Sequence, residues 1–350
     1  MKHALDIGFV ALTDAAPLIV ARERGFFAEE GLDVSLRREV SWATIRDKVA
    51  AGVYQGAHML APMAIATSCG IGSEPAGVVV PLSLNANSAA LGVSARLSES
   101  MAAADPVNPR SPAAFASAVA RHRAPRGPAV SFGVVFPYSL HNYMLRNWAV
   151  AAGLDPDRDM RIVIAPPTSI AARLRAGEID GFCVGAPWSA VCEAKAGASI
   201  VLTAAELRIG APDKVLGLSQ TWADAEPEAA IAFTRAVIRA GLWADASENS
   251  DELAALLSRP NHVDAPKELI ARGLGTAPAS IAFARNATAF PWRSDALWIV
   301  DQMRTWGQFP ANADSSAAIG CYRPDMFREA ASALGVSAPP EDTRPEPASS

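Results

Sequence analysis

Five histidines and four cysteines are scattered along this 350-residue chain in a way that argues against catalysis. His3, His58, His122, His141 and His262 lie far apart, with no HExxH pair and no spacing that would set two imidazoles on one helix face to hold a metal. Cys69, Cys183, Cys192 and Cys321 form no CxxC pair and stand beside no histidine cluster. They read as reduced, buried thiols. No GxSxG elbow, GxGxxG turn, Walker A loop or EF-hand loop is present. The chain has 36 acidic residues, and none falls in a recognisable acid/base pairing. The chemistry on offer is therefore binding, with no metal and no cofactor expected.

Composition narrows the partner. Net charge is -5 and the isoelectric point about 5.6, which excludes a general affinity for nucleic acid or for acidic membranes. An anionic ligand would have to be drawn in by a few local donors. Half the residues are hydrophobic and 19% are charged, as in a folded globular chain. The apolar runs, such as 77–84, are far shorter than the roughly 20 residues of a spanning helix. The first strand pattern begins within three residues of Met1, with no charged and apolar leader ahead of it. Either the protein is kept in the cytoplasm, which we expect, or an export signal has been removed.

The elements that must position any site alternate between strand and helix patterns, which predicts an α/β architecture with mainly parallel sheets. Strands are expected at 4–10, 32–36, 56–60 and 77–84. Helices are expected at 16–24 and 42–51, stopped by Gly25 and Gly52, and near 62–69. A segment rich in Ala, Pro, Ser and Arg follows at 97–128, and its basic run Arg121–Arg126 reads as a solvated crossover between lobes. A second series of strands is expected at 129–135, 161–165, 181–184 and 199–203, with helices at 139–152, 169–176 and 190–195. A last strand is expected at 215–218, then helices at 227–244 and 250–257. Residues 336–350 read as a disordered tail. Two crossings make a hinge with a cleft between lobes, a natural small-molecule site.

Five stretches carry a resemblance: Ala15–Phe27 (AAPLIVARERGFF), Ser41–Asp47 (SWATIRD), Phe136–Arg146 (FPYSLHNYMLR), Gly181–Trp188 (GFCVGAPW) and Pro212–Gly217 (PDKVLG). Together they resemble the nitrate/bicarbonate branch of the substrate-binding protein family, over about residues 3–335. The resemblance implies a type II periplasmic-binding-protein fold, with lobe I at 1–95 plus 216–335 and lobe II at 96–215. It also implies five ligand-binding residues: the indole of Trp42, the imidazole of His141, the backbone of Gly185, the ammonium of Lys214 and a carboxamide at Asn87. The family usually has a Gln after a Gly at that last place. Here Asn85-Ala86-Asn87-Ser88 stands instead, with Asn87 the nearest equivalent.

Those side chains suit a flat monoanion with three oxygens and no proton to give, because the set supplies donors only. Lys214 adds full charge, and His141 would sit just inside a helix capped by Ser139, whose positive end points the same way. Gly185 permits close backbone approach. The remaining tryptophans, including Trp148, Trp188 and Trp306, are expected to pack the lobes. A bicarbonate receptor of this branch would place a carboxylate and a metal ion near position 214, whereas a lysine favours a bare anion. Nitrate or nitrite is therefore the expected ligand.

Within the branch, a chain without an export signal resembles the cytoplasmic nitrate/nitrite sensors of the NasS type. This implies an ANTAR-domain RNA-binding antiterminator of the NasT type as partner, controlled by lobe closure. The alternatives are the binding subunit of a nitrate ABC importer, less readily of a bicarbonate or sulfonate one, and an enzyme of the pyrimidine-precursor type on the same fold.

Overall fold

A computed structural model describes residues 3–123, 129–207 and 212–344. The first sheet takes β1 (His3–Val10), β2 (Leu32–Glu39), β3 (Gly56–Leu60), β4 (Val78–Ala86) and β10 (Pro212–Ser219), in the order β2-β1-β3-β10-β4. The second takes β5 (Ala89–Val93), β6 (Val130–Val134), β7 (Met160–Ile164), β8 (Gly181–Gly185) and β9 (Ser199–Thr203), in the order β7-β6-β8-β5-β9. β1 is parallel to β2 and β3, and β6 to β7 and β8. Strand β10 runs antiparallel between β3 and β4, as β5 does between β8 and β9. The sheets are thus mixed, with four strands of each running one way, as the expected mainly parallel pattern requires, and one running against them. In each, the one antiparallel strand is the first that the chain forms after crossing from the other lobe. This is the two-lobed periplasmic-binding-protein architecture.

Strand membership moves the crossings from where the sequence put them. The boundary expected at residue 95 falls after β5, but β5 belongs to the second sheet, so the first crossing lies at Asn87-Ser88. The boundary expected at 215 falls inside β10, and the return lies between Thr203 and Pro212. β5 escaped notice because Ala89-Ala90-Leu91-Gly92-Val93 is poor in β-branched residues. Its glycine has a packing reason, since a Cβ at Gly92 would overlap the Phe182 ring. The basic run at 121–126 begins at the end of the helix Pro112–Arg123 inside the second lobe, so it is no crossover; residues 124–126 lie outside the described ones.

All positions of β3, β4, β5, β8 and β10 are buried, as expected of strands covered on both faces by helices. The helices that matter for the site are α1 (Ala16–Glu23), α2 (Trp42–Ala50) and α3 (Ala61–Ser68) on the first lobe. On the second they are α4 (Leu140–Ala151) and α5 (Trp188–Ala196). Gly25 and Gly52 follow α1 and α2 with φ of 78° and 70°, left-handed positions that end a helix without Cβ strain. A long α6 (Pro227–Asp245) returns to pack on α1.

The second lobe has its own core around Leu91, Phe115, Phe132 and Trp148. The larger core runs through both lobes, joining Ile7, Trp42 and Leu216 to Val135, Tyr143, Val184 and Trp188. Hydrogen bonds stitch the same seam. Trp188 Nε1 donates to Ala11 O at 2.6 Å, Thr13 N to Ala186 O at 2.9 Å and Tyr143 Oη to Gln308 Oε1 at 2.7 Å. The lobes are closed.

Residues 336–344 do not behave as a tail. Asp342 pairs with Arg293 at 3.1 Å and Arg328 at 2.7 Å, and Arg344 with the buried Asp295 at 2.9 Å. Residues 345–350 lie outside the described ones. None of the four cysteines is in a disulfide; Cys69 is half-buried and the other three are buried. Among the described residues no helix is long and apolar enough to cross a membrane.

Candidate anion site

Four of the five residues expected at the site meet at the lobe seam. Trp42 is the first residue of α2, whose start is fixed by Ser41: its Oγ accepts the Ala43 N–H at 3.1 Å. His141 is the second residue of α4, where Ser139 Oγ accepts the Asn142 N–H at 3.1 Å. Both rings are almost wholly buried, and neither Trp42 Nε1 nor either nitrogen of His141 has a hydrogen-bond partner. Buried donors without acceptors are costly to leave unmet, so they point to a ligand. Gly185 closes β8 where a Cβ would come 2.8 Å from Leu12 Cδ2, and 3.4 Å from Asp14 Oδ2 and from Ser88 Oγ. The two lobes meet at this glycine.

Lys214 is fully buried on β10, with Nζ 5.8 Å from the centre of the Trp42 ring. Two carboxylates flank it, Asp14 Oδ2 at 3.0 Å and Asp213 Oδ2 at 2.6 Å. An ammonium carries three N–H groups, so two carboxylates leave one to offer. Adjacent residues on a strand normally face opposite ways. Register shifts around Lys214 in its pairing with β4 break that alternation and bring Asp213 and Lys214 together.

Around this ion triad the other polar groups are fixed. Ser88 Oγ, at the first crossing, stands 2.7 Å from Asp14 Oδ2 and 2.9 Å from Asp213 Oδ2, and its one proton serves either carboxylate in turn. His58 Nε2 lies 2.9 Å from Asp14 Oδ1, while its Nδ1 accepts the Val10 N–H at 3.5 Å, which leaves the ring proton on Nε2. His58 also stands edge-on to Trp42, with ring centres 5.0 Å apart.

The charges follow from these contacts. Burial would push the Asp14 carboxyl up, but Lys214, His58 and Ser88 outweigh it and hold it well below the usual carboxylate range. Burial would likewise push Lys214 down, and Asp14 and Asp213 overcome that, so the ammonium keeps its proton. Burial dominates at His141, with Lys214 adding to it against the pull of Asp213, and lowers it to about 4. His141 is therefore neutral near pH 7.

The set is not donor-only. Asp14 and Asp213 stand inside it, and Asp213 Oδ1 is a buried acceptor without a partner. The carboxamide is also displaced. Asn87 turns away in a left-handed conformation, φ 67°, and its Nδ2 donates to Pro278 O at 3.2 Å and Ser280 O at 3.4 Å. The carboxamide buried at the site is Asn85, whose Oδ1 accepts the Lys214 backbone N–H at 3.1 Å while Nδ2 has no partner. Thr13 Oγ1 is a further buried hydroxyl without a partner. Sequence reasoning missed Thr13, Asp14, His58, Asn85, Ser88 and Asp213. Asp213, adjoining Lys214 inside PDKVLG, and Asn85 and Ser88, on either side of Asn87, stood in stretches already singled out as part of the site.

A model of the NMT1-like family matches residues 1–258. The chain belongs to that family. It is 32% identical to the nitrate/nitrite binding protein NrtA of Synechococcus elongatus over 95% of this chain and 78% of the relative. It is also 34% identical to the bicarbonate transport ATP-binding protein CmpC of the same organism, over 96% of this chain but only 50% of that longer protein. The crystal structure of the periplasmic nitrate-binding protein NrtA from Synechocystis superposes with a TM-score of 0.91 at 29% identity, covering 98% of this chain and 92% of NrtA. These relatives are binding and transport proteins.

Proposed function

We propose that this chain is the substrate-binding subunit of an anion importer and that its ligand is nitrate or nitrite. The observation that carries the reading is the buried Lys214 ammonium surrounded by unmet donors on Trp42, Asn85 and His141, at a seam between closed lobes. The NrtA relatives support nitrate. Lys214 adds a physical reason to prefer it to bicarbonate held through a metal, since the ammonium already fills the place between two carboxylates that a cation would take. These relatives favour delivery to a membrane permease over the expected cytoplasmic sensor, and none of them lends support to an ANTAR-domain partner.

Nitrate has four heavy atoms, and at roughly 1.5 kcal/mol each the attraction is about 6 kcal/mol. With a charged, preorganised site the Kd should fall at about 1–100 µM. Titration calorimetry with nitrate and nitrite tests this, and two substitutions separate the carboxamides. Asn85→Leu should weaken binding about tenfold or more by removing a buried donor. Asn87→Gly, which keeps the left-handed backbone, should change it less than about threefold. The reverse ranking would return the ligand role to Asn87.

A further inference from the structure

Inside the closed cleft the formal charges do not balance. Lys214 carries +1 and Asp14 and Asp213 carry -1 each, a sum of -1 before any ligand enters. His58 turns Nε2 toward Asp14 and accepts the Val10 N–H at Nδ1, and burial keeps the Cys183 thiol behind Asp213 un-ionised. All of these groups are fully buried. Nitrate would take the sum to -2, in a place where uncompensated charge is heavily penalised. Nitrate also has no proton to give the unpartnered Asp213 Oδ1.

The place for a compensating proton is already built. His141 Nε2 faces Asp213 Oδ2 at 3.9 Å, and both nitrogens of that ring are unpartnered. We propose that each nitrate enters together with one proton, taken from solvent and held between His141 and Asp213. The proton returns the sum to -1 and turns the imidazole into a donor on both nitrogens, one toward Asp213 and one toward the anion. Before an anion joins it the same ring is neutral, because burial holds it down to about 4. The proton is therefore acquired on binding rather than carried beforehand. By linkage, nitrate affinity falls as pH rises, tenfold for each unit over the range where only the bound form holds the proton.

This inference rests on the nitrate reading, and the test separates the two. Nitrate is titrated into the full chain at several values from about pH 5.5 to 7.5, each in two buffers of different ionisation heat. The expected result is uptake of about one proton per nitrate and a Kd that weakens about tenfold per pH unit. Asp213→Asn starts the sum at 0, so its proton uptake should vanish and its pH profile flatten. Binding by the wild-type chain without proton uptake would overturn the inference alone, whatever the variant does. No binding at any pH would overturn the nitrate reading itself.

Discussion

Lys214→Glu should abolish nitrate binding at every concentration up to the millimolar range. The wild-type ammonium stands 3.0 Å from Asp14 and 2.6 Å from Asp213, with no exposed surface. The Coulomb attraction in each contact is about 4 kcal/mol or more at an effective dielectric of about 20, offset in part by the cost of desolvating the ions. The substitution replaces both attractions with repulsions and groups three carboxylates where an anion must enter. Part of the cost will appear as lost stability, because closing the lobes would bury unpaired charge. Lys214→Met, which keeps the length and removes the charge, separates the two effects. It should fold with a far-UV spectrum like the wild type, yet bind nitrate at least about 100-fold more weakly. Calorimetry and thermal melts read both quantities. Wild-type affinity in either variant would remove Lys214 from the site.

Gly185→Val is expected to keep both lobes folded and stop them closing. Gly185 ends β8 opposite Ala89, its backbone is outside the left-handed region, and valine suits a strand. Its Cβ, however, would come 2.8 Å from Leu12 Cδ2 and 3.4 Å from Asp14 Oδ2, across the seam, and its two methyls add bulk beyond that. Overpacking of this kind costs about 1–3 kcal/mol, or roughly 5–150-fold in affinity. Small-angle scattering should show a chain whose radius of gyration no longer contracts with nitrate. Normal contraction and normal affinity would mean that the seam tolerates a side chain and that Gly185 is only a strand terminus.

What the sequence made legible was local. Buried strands announced themselves as apolar runs, and Gly25 and Gly52 marked helix ends that the structure places at left-handed φ. Ser139 was legible as a cap because capping is a matter of three residues. The polar interior of the site was not, since Asp14, His58, Ser88 and Asp213 come from four separate segments and acquire meaning only when the lobes meet. Asn85 and Asn87 differ by two positions, and either could have been the inward one. The choice is made by the left-handed turn at Asn87, which ends β4 and sends the chain into the second lobe. β5 was lost for the opposite reason: its strand character comes from the sheet it completes rather than from its own residues.

A crystal structure of the chain grown with millimolar nitrate tests the central claim most directly. The expected result is flat, three-lobed density against the Lys214 ammonium, within hydrogen-bonding distance of Trp42 Nε1, Asn85 Nδ2 and a His141 ring nitrogen. Closed lobes with that space empty, or nitrate bound only on the outer surface, would contradict it.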